Sequence, residues 1–329
     1  MDLYNNIDYF ATEHKNREKK EIRRKATGIG IALLADFSVM FFWAVPIMIA
    51  AAVMGISMTE LNETLTEPFV TMLLQAILAF FMTFLPFFVL ALCQRIKLSE
   101  DISFGKPKTN LVGPFVLLSI GCSTAFSIIT NLLLAPLQGL GIEIPNVDFE
   151  YPTGFCGVVM SFLAIAVIPA LLEEFAIRGV VLKMLRPYGD WFAIFMSALV
   201  FGVMHASIFQ IPYAFMFGVV LAFAVIKTES IWTGVLLHFV NNAISITLSY
   251  AEMYLSESMA GVVNMLFSFV TINLLGLGIL LLIKADRKVF RLAPSLTLSS
   301  GSQKAGYFIF APMIIICFVV AVLFGFVLR

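Results

Sequence analysis

The sequence predicts an all-α fold, a polytopic transmembrane helical bundle of about nine spans, with eight to ten also compatible with its pattern. Composition is the first observation: of 329 residues, 60% are hydrophobic and 13% charged, and the mean hydropathy is +0.97. A soluble globular protein has about twice that charged fraction. The 33 Phe and 16 Met add apolar bulk beyond what one soluble core buries, so lipid is the expected solvent. Distribution is the second: the formal net charge is zero, but the charges fall almost wholly in the connections between apolar runs.

A helix needs about 20 apolar residues to cross the hydrocarbon core. Gly28–Met54, Val70–Cys93, Leu111–Ala135, Phe155–Ile177, Gly261–Ile283 and Tyr307–Leu328 meet that length. Residues 191–250 divide less cleanly. Breaks at Ile211-Pro212 and at Lys227-Thr228-Glu229 give spans near Trp191–Ala206, Ile211–Ile226 and Ile231–Tyr250.

Lysine and arginine placement is the third observation. Residues 15–25 hold seven basic side chains, which predicts a cytoplasmic N-terminus. The outer connections are then 55–69, 136–154, 207–210 and 251–260, and none contains Lys or Arg. The inner connections hold Arg95, Lys97, Lys106, Lys108, Lys183, Arg186, Lys227, Lys284, Arg287, Lys288, Arg291 and Lys304, and only Arg329 falls on the outer side. A wrong span count upstream of Lys284 would scramble this alternation. The expected organisation is one transmembrane domain, residues 26–329, behind a basic tail, residues 1–25, read as a solvated arm near anionic lipid. The tail is polar and has no small-residue cleavage site before the first apolar run, so that span is expected to stay in the mature protein. Cys93, Cys122, Cys156 and Cys317 are scattered without metal spacing and read as reduced core residues.

Ionisable groups within spans are costly, which makes each a candidate functional residue. In Ile168-Pro-Ala-Leu-Leu-Glu-Glu-Phe-Ala-Ile-Arg178, Glu174 and Arg178 share a face at i,i+4 and can pair. Glu173 is turned about 140° from Arg178 on helical geometry. Glu174 thus reads as structural support and Glu173 as the reactive carboxylate, since a desolvated acid beside a second one suits proton transfer. Pro169 is expected to kink the helix and aim Glu173 inward.

The next span brings His205, in Phe201-Gly-Val-Met-His205. Glu173 and His205 each lie sixteen residues from Gly189 in the intervening turn, so an antiparallel hairpin puts them at one depth, able to face each other. His238-Phe-Val-Asn-Asn242 places His238 and Asn242 on one face of the seventh span, with Asn241 turned about 60° away. A carboxylate, two imidazoles and a carboxamide then converge from three helices. That set fits hydrolysis, with water activated by Glu173, oriented by His205, and an oxyanion held by His238 and Asn242. No Ser or Cys has the neighbours a nucleophile needs. Glu173, His205 and His238 are also candidate ligands for Zn2+, although HExxH is absent. Asp36 in the first span can line an access path, relay a proton or contact a neighbouring helix. Asn131, Asn264 and Asn273 read as interhelical hydrogen-bonding residues.

Taken together, Glu173-Glu174…Arg178, Phe201…His205 and His238…Asn242 resemble the EExxxR, FxxxH and HxxxN pattern of the CPBP family of intramembrane proteases, which includes CAAX prenyl proteases and bacteriocin-processing, Abi-like proteins. Gly179 also fits, and no motif position departs from the pattern. The resemblance covers about residues 155–245. It implies that Glu173 and His205 activate water and that His238 and Asn242 form the oxyanion site, without deciding between a glutamate-type and a metal-dependent peptidase. It also implies a substrate that is a membrane-associated peptide or membrane protein. The prokaryotic character of the sequence favours such a substrate over a prenylated one. The expected partners are that substrate and the lipid bilayer, with no nucleic acid. A non-catalytic immunity or sensor-regulating protein built on the same helices is the alternative, and a carrier using Asp36 and the two histidines is a third.

Overall fold

The computed structural model describes residues 2–144 and 150–327; the predicted end of the last span at Leu328, and Arg329, lie outside the described residues. Among the described residues the regular elements are all helical. Helix α1 (Asp2–Phe42) continues after a break at Trp43 as α2 (Ala44–Met54). Pro46 has no N–H to give the Phe42 carbonyl four residues back, and the break falls there. The basic stretch is thus the start of α1 and not a separate segment of chain. Its Ile22 is fully buried, and its Glu18 carboxylate accepts the Leu298 and Ser299 amides at 2.8 and 2.9 Å.

Short helix α3 (Met58–Thr66) is capped by Ser57, and α4 (Pro68–Cys93) by the Glu67 carboxylate, which takes the Val70 amide at 2.8 Å. Next come α5 (Thr109–Gly139) and α6 (Gly154–Tyr188). A turn with Gly189 at φ 117° leads into α7 (Asp190–Met204). The bundle closes with α8 (Gln210–Thr228), α9 (Ile231–Tyr254), α10 (Glu257–Ala285), α11 (Gly301–Ile309) and α12 (Pro312–Val327).

Among the described residues, seven helical runs are long and apolar enough to cross a membrane, and α11 with α12 makes an eighth if that pair, bent by 65°, is one span. The 15-residue α7 is shorter but apolar, and corresponds to the remaining segment of the nine read from the sequence. The protein is therefore an integral membrane protein with a polytopic helical bundle. The predicted last span is not straight: Pro312 at the start of α12 coincides with the bend. Cys122 and Cys317 are buried as expected, whereas Cys93 and Cys156 are exposed; all four are free thiols.

Glycine sets the closest helix contacts. A Cβ on Gly278 of α10 would lie 2.5 Å from the Leu118 backbone nitrogen, and one on Gly121 of α5 would lie 2.4 Å from that of Leu275. One turn beyond the Gly121–Leu275 contact the Thr124 and Thr271 hydroxyls hydrogen-bond at 2.7 Å. This is the small-residue packing of membrane helices, in which close approach replaces the hydrophobic drive available in water. Asn264 does bond across helices, to Glu252 at 2.7 Å, but Asn273 donates to Phe269 of its own helix. Gly278→Val should separate α5 from α10 and cost about 1–3 kcal/mol. A lowered melting temperature in detergent is the expected result, and an unchanged one would contradict the close packing.

Candidate active site

Helix α6 is irregular where the reactive groups lie. It is π-helical at Phe162–Val167 and Phe175–Leu182, with regular α-helix at Ile168–Glu174 between them. The first π turn includes Ile165, whose carbonyl stands four residues before Pro169 and receives no N–H from it. The same pairing occurs in α4, where π-helical Phe80–Phe84 includes Met82, four residues before Pro86. Wide turns at functional segments are a known use of π-helix. Here the turn leaves a carbonyl open to another helix: Asn242 Nδ2 donates to Ile165 O at 2.8 Å.

Glu174 and Arg178 pair as expected, Nη1 to Oε1 at 2.7 Å, with both side chains 0% exposed. The guanidinium also donates to the Gly218 carbonyl at 3.2 Å and lies 4.5 Å over the Phe201 ring, a cation–π contact. Glu174 does more than the sequence suggested, because His238 Nδ1 lies 3.1 Å from the same Oε1. An ionised carboxylate accepts only, so Nδ1 carries the proton and the His238 ring is fixed in orientation. Its other nitrogen, Nε2, then faces Glu173, 3.8 Å from Oε2.

Glu173 turns away from Arg178, as helical geometry required. Its Oε2 is buried with no hydrogen bond from a protein group, and its side chain borders a cavity of about 340 Å³. Thr71, Gln75 and Thr83 of α4 share that cavity with Trp43 and Pro169. Asp36, 2% exposed, interacts with the Thr83 hydroxyl and feels the charge of Glu173, so its contact is with a neighbouring helix at the back of the site. A larger cavity of about 680 Å³ lies between Trp191, Phe195 and Leu292, and none of the four candidate catalytic groups lines it.

His205 is not within the helix, as its span implied, but caps the end of α7, where the next residue, Ala206, takes a left-handed φ of 46°. Left-handed backbone at a non-glycine residue is strained, and such strain gathers at functional sites. The His205 Nδ1 atom lies 2.8 Å from the Phe201 carbonyl, which can only accept. Nδ1 is therefore the donor, and in the neutral ring Nε2 is left as an acceptor. Phe201 joins the two imidazoles, its ring centroid 4.9 Å from that of His205 and 5.6 Å from that of His238, edge-on to both. The hairpin exists as predicted, but the ionic neighbour of Glu173 is His238.

Two features of the site were not read from the sequence. Gly234 stands one turn before His238 on the same face, and a Cβ there would fall 2.5 Å from Glu174 Oε2. Only glycine lets that carboxylate approach the α9 backbone so closely. The i,i+4 spacing Gly234…His238…Asn242 was the available signal. Asn241, whose role had been open, is a hub: its Oδ1 accepts from Ser123 and Tyr213, each at 2.6 Å, and its Nδ2 donates to Asn242 Oδ1 at 3.0 Å.

Among the described residues, no three His, Cys, Asp or Glu side chains gather in an arrangement that could hold a metal ion. Glu173, His205 and His238, the candidate Zn2+ ligands, are not gathered in such a group in this structure. Gly234→Ala should push Glu174 aside and cost about 1–3 kcal/mol, seen as a lower melting temperature. A fully stable Gly234→Ala protein would show that the carboxylate is not held against α9.

No curated protein and no solved structure matches the chain. Residues 155–244, which hold every group of the three motifs, match the family model Rce1-like, described as type II CAAX prenyl endopeptidase Rce1-like. The match spans the paired glutamates, two histidines and asparagine, and so supports the resemblance of this segment to the CPBP family of intramembrane CAAX-type proteases.

Proposed function

We propose that this protein is an intramembrane endopeptidase that cleaves a peptide bond of a membrane-associated peptide or membrane protein with water activated by Glu173. The observation behind this reading is the order Arg178–Glu174–His238–Glu173, in which one carboxylate is neutralised and orients an imidazole while the other borders a cavity with no hydrogen bond to its Oε2. A buried carboxylate engaged in two charged contacts cannot serve as a base; one bordering a cavity can.

In this mechanism the substrate carbonyl carbon approaches beside Glu173. Glu173 removes a proton from water, and the oxygen of that water bonds to the carbon. His205, through Nε2, accepts the second hydrogen of the water and fixes its direction. Charge moves onto the carbonyl oxygen, where the free N–H of Asn242 and, in its protonated form, His238 Nε2 stabilise it. Collapse of the tetrahedral intermediate breaks the C–N bond, and Glu173 returns its proton to the departing amine. His205, His238 and Asn242 are each already held by a second group, so little reorganisation of these three accompanies the charge movement.

The Lys- and Arg-rich connections support an N-terminus on the cytoplasmic side of the membrane, and the Cys-poor, Ile- and Phe-rich composition favours a prokaryotic cell membrane. The test of function compares membranes containing wild type or Glu173→Gln by mass spectrometry of released peptides. The amide keeps size but cannot take a proton, so release should fall by about 10²–10⁴-fold, with unchanged insertion and melting temperature. Equal release by the two proteins would sink the proposal and favour the non-catalytic alternative. Release should persist when wild type is treated with a strong zinc chelator, because no metal-binding group of three is assembled. Loss restored by added Zn2+ would instead establish a metal-dependent enzyme.

A further inference from the structure

Four side chains outside the acid–base machinery are joined into one chain of hydrogen bonds ending at Asn242. Ser123 on α5 and Tyr213 on α8 both meet Asn241 Oδ1 at 2.6 Å. Asn241 Nδ2 meets Asn242 Oδ1 at 3.0 Å, and Asn242 Nδ2 meets the Ile165 carbonyl on α6 at 2.8 Å. The Asn242 side chain alone could present either its oxygen or its nitrogen to the substrate. The chain removes that freedom.

The direction is imposed from the Ile165 end. A backbone carbonyl cannot donate, so the Asn242 atom beside it must be nitrogen. The Asn242 oxygen then faces Asn241 and must receive an N–H, which fixes the Asn241 nitrogen on that side. The Asn241 oxygen is left facing Ser123 and Tyr213, and at least one hydroxyl must donate to it. Ser123 Oγ also lies 3.0 Å from the Ser119 carbonyl, which competes for its single proton. Tyr213 OH donates to Asn241 Oδ1 alone in this network, from a half-buried side chain. Any reversal of one amide would set two oxygens against each other in a partly buried network, where an unsatisfied group costs up to about 1–3 kcal/mol.

We infer that Tyr213, assisted by Ser123 and acting through Asn241, is a positioning residue that locks the Asn242 carboxamide with its N–H toward the substrate oxyanion. An Asn242 nitrogen has two hydrogens; one is given to Ile165, and the other remains for the developing charge. This inference rests on the proposed peptidase reading. It adds to that reading a dependence of catalysis on α5 and α8, helices that supply none of the four catalytic groups. Removing the Tyr213 hydroxyl leaves Asn241 Oδ1 with a single, contested donor, and the pair of amides is then held firmly only at its Ile165 end.

The test uses the full chain in proteoliposomes and, as substrate, a synthetic copy of a peptide released by wild type but not by Glu173→Gln. If no such peptide exists, the peptidase reading fails by itself. Given one, Tyr213→Phe should lower kcat about tenfold with KM and melting temperature nearly unchanged, and Tyr213→Phe with Ser123→Ala should lower it further. In an Asn241→Ala background, Tyr213→Phe should have no additional effect on kcat, because the path to Asn242 is already cut. Wild-type kcat in Tyr213→Phe overturns the inference while leaving the peptidase reading intact. The same tenfold loss with Asn241→Ala present also overturns it, as does a loss that appears in KM or follows a large fall in melting temperature.

Discussion

The site depends on the neutralisation of Glu174. A carboxylate with no exposed surface in a lipid-solvated bundle is tolerated only when paired and hydrogen-bonded. Arg178 one turn away supplies the charge, and His238 on α9 supplies a second donor. Because both contacts go to the same oxygen, the pair is more than a local helix brace. It ties α6 to α9, fixes which nitrogen of His238 bears its proton, and turns the other nitrogen toward Glu173. Breaking a buried pair of this kind typically costs about 3–5 kcal/mol, since the remaining charge is stranded. The adjacent Glu173 is spared the same role by 100° of helical rotation, which points it to the cavity instead.

Around this pair the backbone supplies what side chains cannot. Pro169 gives no hydrogen bond to Ile165, the helix widens there, and the Ile165 carbonyl becomes the acceptor that sets the Asn242 amide. Gly234 removes the one Cβ that would hold α9 away from Glu174. Gly202 and Gly218 do the same between α7 and α8, where a Cβ would meet Ile211 or Ala198 at 2.9 or 3.1 Å. That contact holds Phe201 against Arg178, and the Phe201 ring in turn meets both imidazoles. Proline and glycine thus do for this site what polar solvent does elsewhere: they leave backbone groups accessible and let charged groups come close.

The all-helical bundle and the Glu174–Arg178 pair were legible in the sequence because both follow from short-range periodicity. Hydrophobic length reads out spans, and i,i+4 spacing reads out neighbours on a helix. The reading weakened where a residue sits at a helix end or where the helix is not α. His205 was read as lying inside a span drawn to Ala206, because apolar composition continues past Met204, yet α7 stops at Met204 and the chain turns left-handed at Ala206. The last span looked continuous for the same reason, and its 65° bend came from the break before Pro312.

By itself, then, the sequence determined the solvent of this protein, its helices, and which carboxylate pairs with Arg178 and which turns away from it. Those properties are fixed by composition and by rotation along one helix. Only the tertiary structure decided that His238 stands between the two glutamates, that Gly234 makes room for one of them, and that Tyr213 and Ser123 reach Asn242 through Asn241. Each of these is a contact between helices up to 118 residues apart in the chain. The depth of residues in a hairpin says that two groups can meet, but rotation of each helix about its own axis decides which ones do. That rotation is set by close packing at glycine and by the need to pair every buried polar group, and neither is written in any single segment.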